Sequence, residues 1–344
     1  MAIKQNDSGV PAPRRITRRR ALAMCGGALT LLAGTAPFAS RASNGSYPSG
    51  PIRLVVPFPP GGSVDTVART IGPQLQEQLG QPVVIENRPG ASSVIGAQYV
   101  KHAKSDGYTI LLNASLQVAN PMLLSTATYD PMKDFVPITG IGAQPQLVLV
   151  RADGPYKTLA DLLNDARKRP RELQWAIAAF GAAGHLACEL LNVEAKIQMP
   201  VVPYKGGAPA LVDLMGGHVS AMIEPMASAY PHVKAGRLRA LAVTSDKRLP
   251  SLPDLPTVAE SGFPGFDMPS WYGLWVPAGT PDSVVDRLYR EMQKAVQAPA
   301  VANKLASIAF LPRASSPSDF TRYTASELSK YRTLIAQANI KADQ

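Results

Sequence analysis

Four histidines and two cysteines in 344 residues leave little material for metal or redox chemistry. His102, His185, His218 and His232 are scattered, without HExxH or any other metal-ligand spacing. Cys25 falls in an N-terminal segment expected to be removed. Cys188 is then alone, so no intramolecular disulfide is expected, and its helical setting reads as a buried structural thiol. There is no GxSxG elbow, no Walker loop and no GxGxxG after a strand; Gly140-Ile141-Gly142 lies in a Pro-rich stretch and lacks the third glycine. No nucleophile–base pair emerges. The chain is therefore read as a protein without catalysis, with a hydrolase as the lesser alternative, and no cofactor or metal is expected. Charge is scarce as well. The net charge is +10, but residues 1–42 hold Lys4, Arg14, Arg15, Arg18, Arg19, Arg20 and Arg41 against Asp7, a net +6, which leaves +4 for the other 302. No Lys/Arg cluster interleaved with aromatics follows residue 42, so nucleic acid is not expected as a partner.

What is present begins with an export signal. Thr17-Arg18-Arg19-Arg20 precedes a Gly/Ala-rich apolar stretch over 21–39, and Ser40-Arg41-Ala42 places small residues at −3 and −1 of a cut after Ala42. This is the order of a secretory signal, and the paired arginines suggest the twin-arginine route. Glycines 26, 27 and 34 and Pro37 make the stretch a poor membrane anchor. A periplasmic location with cleavage near Ala42 is expected.

The remaining chain alternates short apolar runs with segments of helical period. Strands are expected at 52–58, 83–86, 108–112, 147–150, 173–178, 201–203, 220–223, 240–244 and 273–276. Helices are expected at 63–79, 94–102, 159–167, 184–192, 208–215, 230–235, 284–297, 299–307 and 317–339. Such alternation implies parallel sheets covered by helices. Pro/Gly-rich stretches at 139–145 and 249–269 suggest that the chain crosses between two lobes twice. One lobe is expected from 47–145 and 262–344, the other from 146–261.

The segment Ile52–Arg69 carries the clearest site signal. An apolar run stops at Pro59-Pro60-Gly61-Gly62, and Ser63 stands where a helix N-cap belongs, ahead of the apolar face Val64, Val67, Ala68 and Ile71. Without Cβ atoms, Gly61 and Gly62 let backbone N–H groups approach a ligand, and the helix dipole favours an anion. Such a turn also occurs with no ligand at all. The pattern recurs at Phe180-Gly181-Ala182-Ala183-Gly184 before His185, and at Tyr204-Lys205-Gly206-Gly207; the strand at 108–112 ends in Asn113-Ala114-Ser115. In open α/β sheets such loops line the ligand crevice. One helix N-terminus contributes about 0.3–1 kcal/mol to anion binding, up to about 2 when partly buried. Micromolar affinity needs about 8 kcal/mol, so loops of both lobes are required. Alternatives stay open at single positions. Asp65 serves either as a dipole partner or as a ligand contact, His185 as donor or loop anchor, and Tyr204 and Trp271 as pocket wall or core. Glu224 either meets a ligand's ammonium group or faces water.

Taken in order, Tyr47-Pro48, VVPFPPGGSVDTVAR ending at Arg69, VIENRPGASSVIG over Val84–Gly96, DGYTILL from Asp106, HLACEL from His185, VPYKGGAPA from Val202, GRLRALAVTS from Gly236, PTVAESG from Pro256 and WYGLWVPAGTP from Trp271 resemble one family along nearly the whole chain after the signal. It is that of the Bug or TctC periplasmic substrate-binding proteins of tripartite tricarboxylate transporters. The resemblance implies a type II periplasmic-binding-protein fold: two lobes, each with a mixed, mostly parallel sheet flanked by helices, closing on a ligand in the cleft between them. It implies a small carboxylate ligand held largely by backbone groups. Carried onto this chain, one lobe contributes Phe58, Pro60, Gly61, Gly62, Ser63, Asp65, Asn113 and Ser115. The other contributes Ala182, Ala183, Gly184, His185, Tyr204 and Gly206, with Glu224 beside them. Expected partners are membrane permease subunits or, in a sensing role, a receptor kinase, and a monomer is expected. Family members commonly have Gly-Ser ahead of the His-Leu pair, where this chain has Gly181-Ala182-Ala183-Gly184 without a hydroxyl. That departure suggests a monocarboxylate, aromatic or amino-acid-like, over citrate.

Overall fold

The computed structural model describes residues 47–340; the expected export signal, its cleavage site and Cys25 lie outside them. The apolar run of the site segment forms β1 (Ile52–Val56), buried except at Arg53. It pairs in parallel with β2 (Val83–Asn87) and β3 (Thr109–Ala114). Between these strands lie α1 (Ser63–Leu79) and α2 (Val94–Lys101), and α3 (Leu116–Leu123) follows β3. Helix α1 buries Val64, Val67, Ala68, Ile71, Leu75 and Leu79, the stripe that its period calls for, and ends at Gly80 with φ 63°, the left-handed stop that glycine supplies.

The chain then runs through β4 (Phe135–Gln144), β5 (Gln146–Arg151), α4 (Leu159–Lys168), β6 (Trp175–Ile177), α5 (Ala183–Glu194), β7 (Val201–Pro203), α6 (Gly207–Gly216), β8 (Ala221–Pro225), α7 (Met226–Lys234) and β9 (Leu238–Val243). It returns through β10 (Ser270–Pro277), α8 (Asp282–Gln297), α9 (Pro299–Ala306), β11 (Leu311–Pro312) and α10 (Pro317–Gln337). Two mixed sheets result, in the orders β11-β4-β10-β3-β1-β2 and β7-β6-β8-β5-β9. Parallel pairing is confined to β2-β1-β3 and β7-β6-β8. The strands next to the crossings, β4, β5 and β10, add antiparallel ladders. Among the described residues no helix is long and apolar enough to cross a membrane.

Between 139 and 145 the structure differs from the expected loose crossing. Ten residues there and before form β4, and Pro145 alone separates β4 from β5. Gly140 and Gly142 are strand residues whose missing side chains make room for neighbours. A Cβ on Gly140 would fall 2.8 Å from the Phe320 ring, and one on Gly142 only 2.3 Å from the Leu311 carbonyl oxygen. Helix α3 was also hidden, because Pro121 stands inside it.

The two crossings are stitched together by buried polar groups. Gln146 N–H donates to Thr244 Oγ1 (3.0 Å), and Gln146 Nε2 to the Met268 carbonyl (2.8 Å). Gln144 Oε1 accepts from Ala227 N–H (2.9 Å) at the start of α7, and its amide nitrogen donates to Tyr272 Oη. Below this junction Trp175 and Ile177 of β6 and Leu186 of α5 share a core with Trp271 and Trp275 of β10 and Phe320 of α10.

Gly273 is the tightest point of that core, for a Cβ there would lie 2.1 Å from the buried Phe320 ring and 2.8 Å from Trp275. Gly273→Ala is expected to lower stability by about 1–3 kcal/mol in denaturant titration, and Phe320→Leu added to it to recover part of the loss. A neutral Gly273→Ala would show that this packing is loose.

Candidate ligand-binding site

The carboxyl-terminal ends of β1, β3, β6, β7 and β8 face one another across a narrow cavity of about 60 Å³. Its wall takes Phe58, Pro60, Gly62 and Ser63 from the β1–α1 loop, Ala182, Ala183 and Gly184 from α5, Gly206 from the α6 turn, and Glu224 from β8. These nine of the expected contact residues are thus brought together. Pro59 reaches over to Gly206, 3.2 Å from where a Cβ would stand, and Ser63 Oγ lies 2.8 Å from Ser228 Oγ of α7. Ser228 in turn donates to Glu224 Oε1 (2.6 Å), so a chain of hydroxyls links the two sheets beside the cavity.

Three helices begin at this wall with bare N-termini. The N-caps of α1, α5 and α6 are Gly62, Ala182 and Gly206, and none has a side chain that caps. Ser63 is therefore not the cap that its position suggested. It is the first helical residue, and its hydroxyl goes to Ser228 rather than back to α1. Gly206 has φ 116° and ψ 169°, a conformation that only glycine adopts readily, so no capping side chain is tolerated there. Among the described residues no hydrogen bond uses the backbone N–H of Ser63, Val64, Asp65, Ala183, Gly184, His185, Gly207 or Ala208. First-turn N–H groups point out of the helix end and carry its positive pole. Helix α7 is different, because its first N–H groups are taken by Pro145 O and Gln144 Oε1.

The other six expected residues lie off the wall. Gly61 turns away with φ 85° and donates to Asp65 Oδ2 (2.9 Å). The Asp65 carboxylate also accepts from Arg69 Nε and Asn87 Nδ2, both at 2.9 Å. Burial pushes this carboxyl up, but Arg69, Gly61 and Asn87 outweigh it and hold it below the usual carboxylate range. Asp65 thus pins the loop. Asn113 is buried in contact with Gln117 and Ser93, and Ser115 is buried without a hydrogen-bond partner for its hydroxyl. His185 sits beneath the loop, Nδ1 accepting from Gly181 N–H (3.1 Å) and the ring edge-on to Phe180. Tyr204 donates to Asp213 Oδ2 (2.7 Å). Trp271 donates to Glu327 and Tyr331. Its neighbour Tyr272 lines the cavity instead, since successive strand residues face opposite ways. Sequence reasoning also missed Gln146 and Ser270 of the wall. A glutamine directly before the apolar run Leu147–Val150 was the available signal.

A family model described as the tripartite tricarboxylate transporter family receptor, TctC, matches residues 67–340. The chain belongs to this receptor family. Protein BugT of Bordetella pertussis is 35% identical over 309 residues, 89% of this chain and 95% of BugT. The solved structure of the periplasmic binding protein BugD superposes with a TM-score of 0.83 at 33% identity, covering 86% of this chain and 100% of BugD. R. palustris Rpa4515 with adipate gives a TM-score of 0.83 at 38% identity, with the same coverage. The TctC receptor described here is accordingly a periplasmic solute-binding protein of two mixed sheets, not an enzyme.

Two buried groups of this receptor titrate in opposite senses. Burial holds the His185 imidazole down at about 4. The unfolded chain therefore binds the extra proton first, and stability is lost as pH falls from 6.5 towards 4. Burial pushes the Glu224 carboxyl up to about 7, with Ser228 opposing it. The native form there binds the extra proton, and stability is lost as pH rises from 4.5 through 7, by about 3 kcal/mol. Glu224→Gln is expected to be more stable than the parent at pH 8 and nearly equal to it at pH 4.5, by denaturant titration. An unchanged difference between the two pH values would show that Glu224 is not buried in charged form.

Proposed function

We propose that this receptor captures a small carboxylate in the cavity between its sheets and hands it to the membrane permease subunits of a tripartite tricarboxylate-type transporter. The observation that supports this reading most is the convergence of three bare helix N-termini on a cavity with no Lys, Arg or His in its wall. An anion arriving there meets backbone donors from both sheets. Three helix ends supply at most about 6 kcal/mol of dipole attraction. Charge-assisted hydrogen bonds of about 1.5–3 kcal/mol each bring the total into the range of micromolar binding. The adipate held by Rpa4515 is a carboxylate too.

In this reading Ser63, Gly184, Gly207 and their helical neighbours bind through backbone N–H groups, and Tyr272 adds a hydroxyl. Two lobes, residues 47–145 with 262–344 and residues 146–261, open and close about the crossings at Pro145 and 244–269. Ligand and closure favour one another, since the site is complete only when both sets of loops meet. The chain is exported through the signal in residues 1–42, cut near Ala42, and acts as a monomer.

Calorimetry with a panel of small carboxylates tests the reading, and Gly62→Asp sharpens it. Gly62 has φ −77°, and a Cβ there would meet only the Pro59 carbonyl oxygen, at an ordinary contact distance of 3.7 Å. Aspartate is therefore accommodated, caps α1 with its own carboxylate, and occupies the place of the anion. Binding is expected to weaken at least a hundredfold while the melting temperature stays level or rises. Retained affinity would count against the β1–α1 loop as the site.

A further inference from the structure

The cavity wall offers donors and also two acceptors: Gln146 Oε1, which has no donor, and the Glu224 carboxylate, which has one. Glu224 is 3% exposed, and its single hydrogen bond among the described residues is the one from Ser228 to Oε1. No Lys, Arg or His forms an ion pair with it there, and none lines the cavity. Gln146 is fully buried. Its Nε2 is committed to the Met268 carbonyl (2.8 Å), which fixes the amide and leaves Oε1 buried without a donor. Both side chains line the cavity.

These acceptors sit against the bare helix ends. Glu224 Oε1 lies 2.1 Å from where a Cβ of Gly207, the first residue of α6, would stand. Gln146 Oε1 lies 3.2 Å from that of Gly184, the second residue of α5. Gly184 and Gly207 are among the residues whose N–H groups await an anion, so donor and acceptor positions are adjacent. A plain carboxylate satisfies the first and sets its own negative oxygens against Glu224. A hydroxyl supplies one proton and no charge. An ammonium group supplies three donors and neutralises Glu224. The rest of the wall, including Phe58, Pro59, Val64, Leu116 and Ile223, is apolar.

We propose that the ligand is an α-amino acid with an apolar side chain, its carboxylate at the helix N-termini and its ammonium group between Glu224 and Gln146. This rests on reading the cavity as a carboxylate site and names the ligand class within it. Glu224 is then the residue that determines specificity, and the chain Ser63–Ser228–Glu224 orients its carboxylate across the cleft. Gln146, placed next to Pro145, ties recognition of the nitrogen to the crossing between the sheets.

The test is calorimetry on the exported form of the full chain with glycine, alanine, valine and phenylalanine, each beside its 2-hydroxy and unsubstituted carboxylate analogue, with malate and adipate as further ligands. At least one amino acid is expected to bind tenfold or more tighter than both analogues, a margin of 1.4 kcal/mol. Glu224→Gln is expected to cut that ratio at least tenfold, and Glu224→Asp to restore part of it, in variants whose melting curves stay cooperative. If the analogues bind as tightly as the amino acids, or if Glu224→Gln leaves the ratio unchanged, the inference is overturned. If malate or adipate binds and no amino acid does, the inference falls and the carboxylate site stands. If nothing in the series binds, both fall together.

Discussion

An anion can be buried between two sheets without a basic side chain only if backbone N–H groups there have been left unpaired. Everything around the cavity follows from that requirement. Away from it two helices carry side-chain caps, a reciprocal capping box of Thr158 and Asp161 at α4 and Ser316 at α10, while α2, α3, α8 and α9 have none. At the cavity the caps are glycine, alanine and glycine. Replacing a good capping side chain by alanine costs a helix about 0.5–2 kcal/mol. The chain accepts that cost at α5, and the two glycine caps cost less. The burden falls on the native state without ligand and is relieved when an anion fills the helix ends.

The second dependence runs through Gln144, Pro145 and Gln146. The two glutamines flank the shorter crossing, and both are buried. Gln144 caps α7 and bonds to Tyr272, while Gln146 binds the other crossing at Thr244 and Met268. The first turn of α7 is thereby withdrawn from the ligand, although β8 brings it to the same wall. Pro145 contributes a carbonyl to Met226 N–H and, lacking a donor of its own, nothing that the junction must satisfy. Both sheets are thus joined at the floor of the cavity and touch again at its rim through Ser63 and Ser228. Tyr272 and Gln146 belong both to the junction and to the cavity wall.

Much of this was legible in the sequence where local physics decides the outcome. Helix α1 has the bounds that its apolar period and Gly80 set, and the glycine-rich turns after β1, β6 and β7 all arrive at one cavity. What was not legible depended on distance along the chain. Ser63 reads as a cap from its neighbours and is drawn off by Ser228, 165 residues away. The sequence around Asp65 allows two roles, and the contacts with Arg69 and Asn87 in the fold decide between them. Asn113, His185 and Tyr204 stand at the right loops, but their side chains find partners beneath or beside the wall. Gln146 and Tyr272 were missed because they lie on strands, where only the direction of each side chain separates wall from core. The glycines of β4 imitate a linker because the reason for them, Phe320 and Leu311, comes far later in the chain.

Selectivity follows from the same division of labour. Backbone donors recognise a carboxylate and almost nothing else about the molecule that carries it. The segment Ala182–Gly184 sharpens this, since it presents to the cavity only alanine methyls and the N–H groups of Ala183 and Gly184. Discrimination must then come from the few side chains that are polar, buried and aimed inward: Glu224, Gln146, Ser63 and Tyr272. Two of these are acceptors, one of them ionisable and without a cation beside it. On the proposed reading, the buried Glu224 carboxylate, with no cation beside it, disfavours ligands that have no proton to give it.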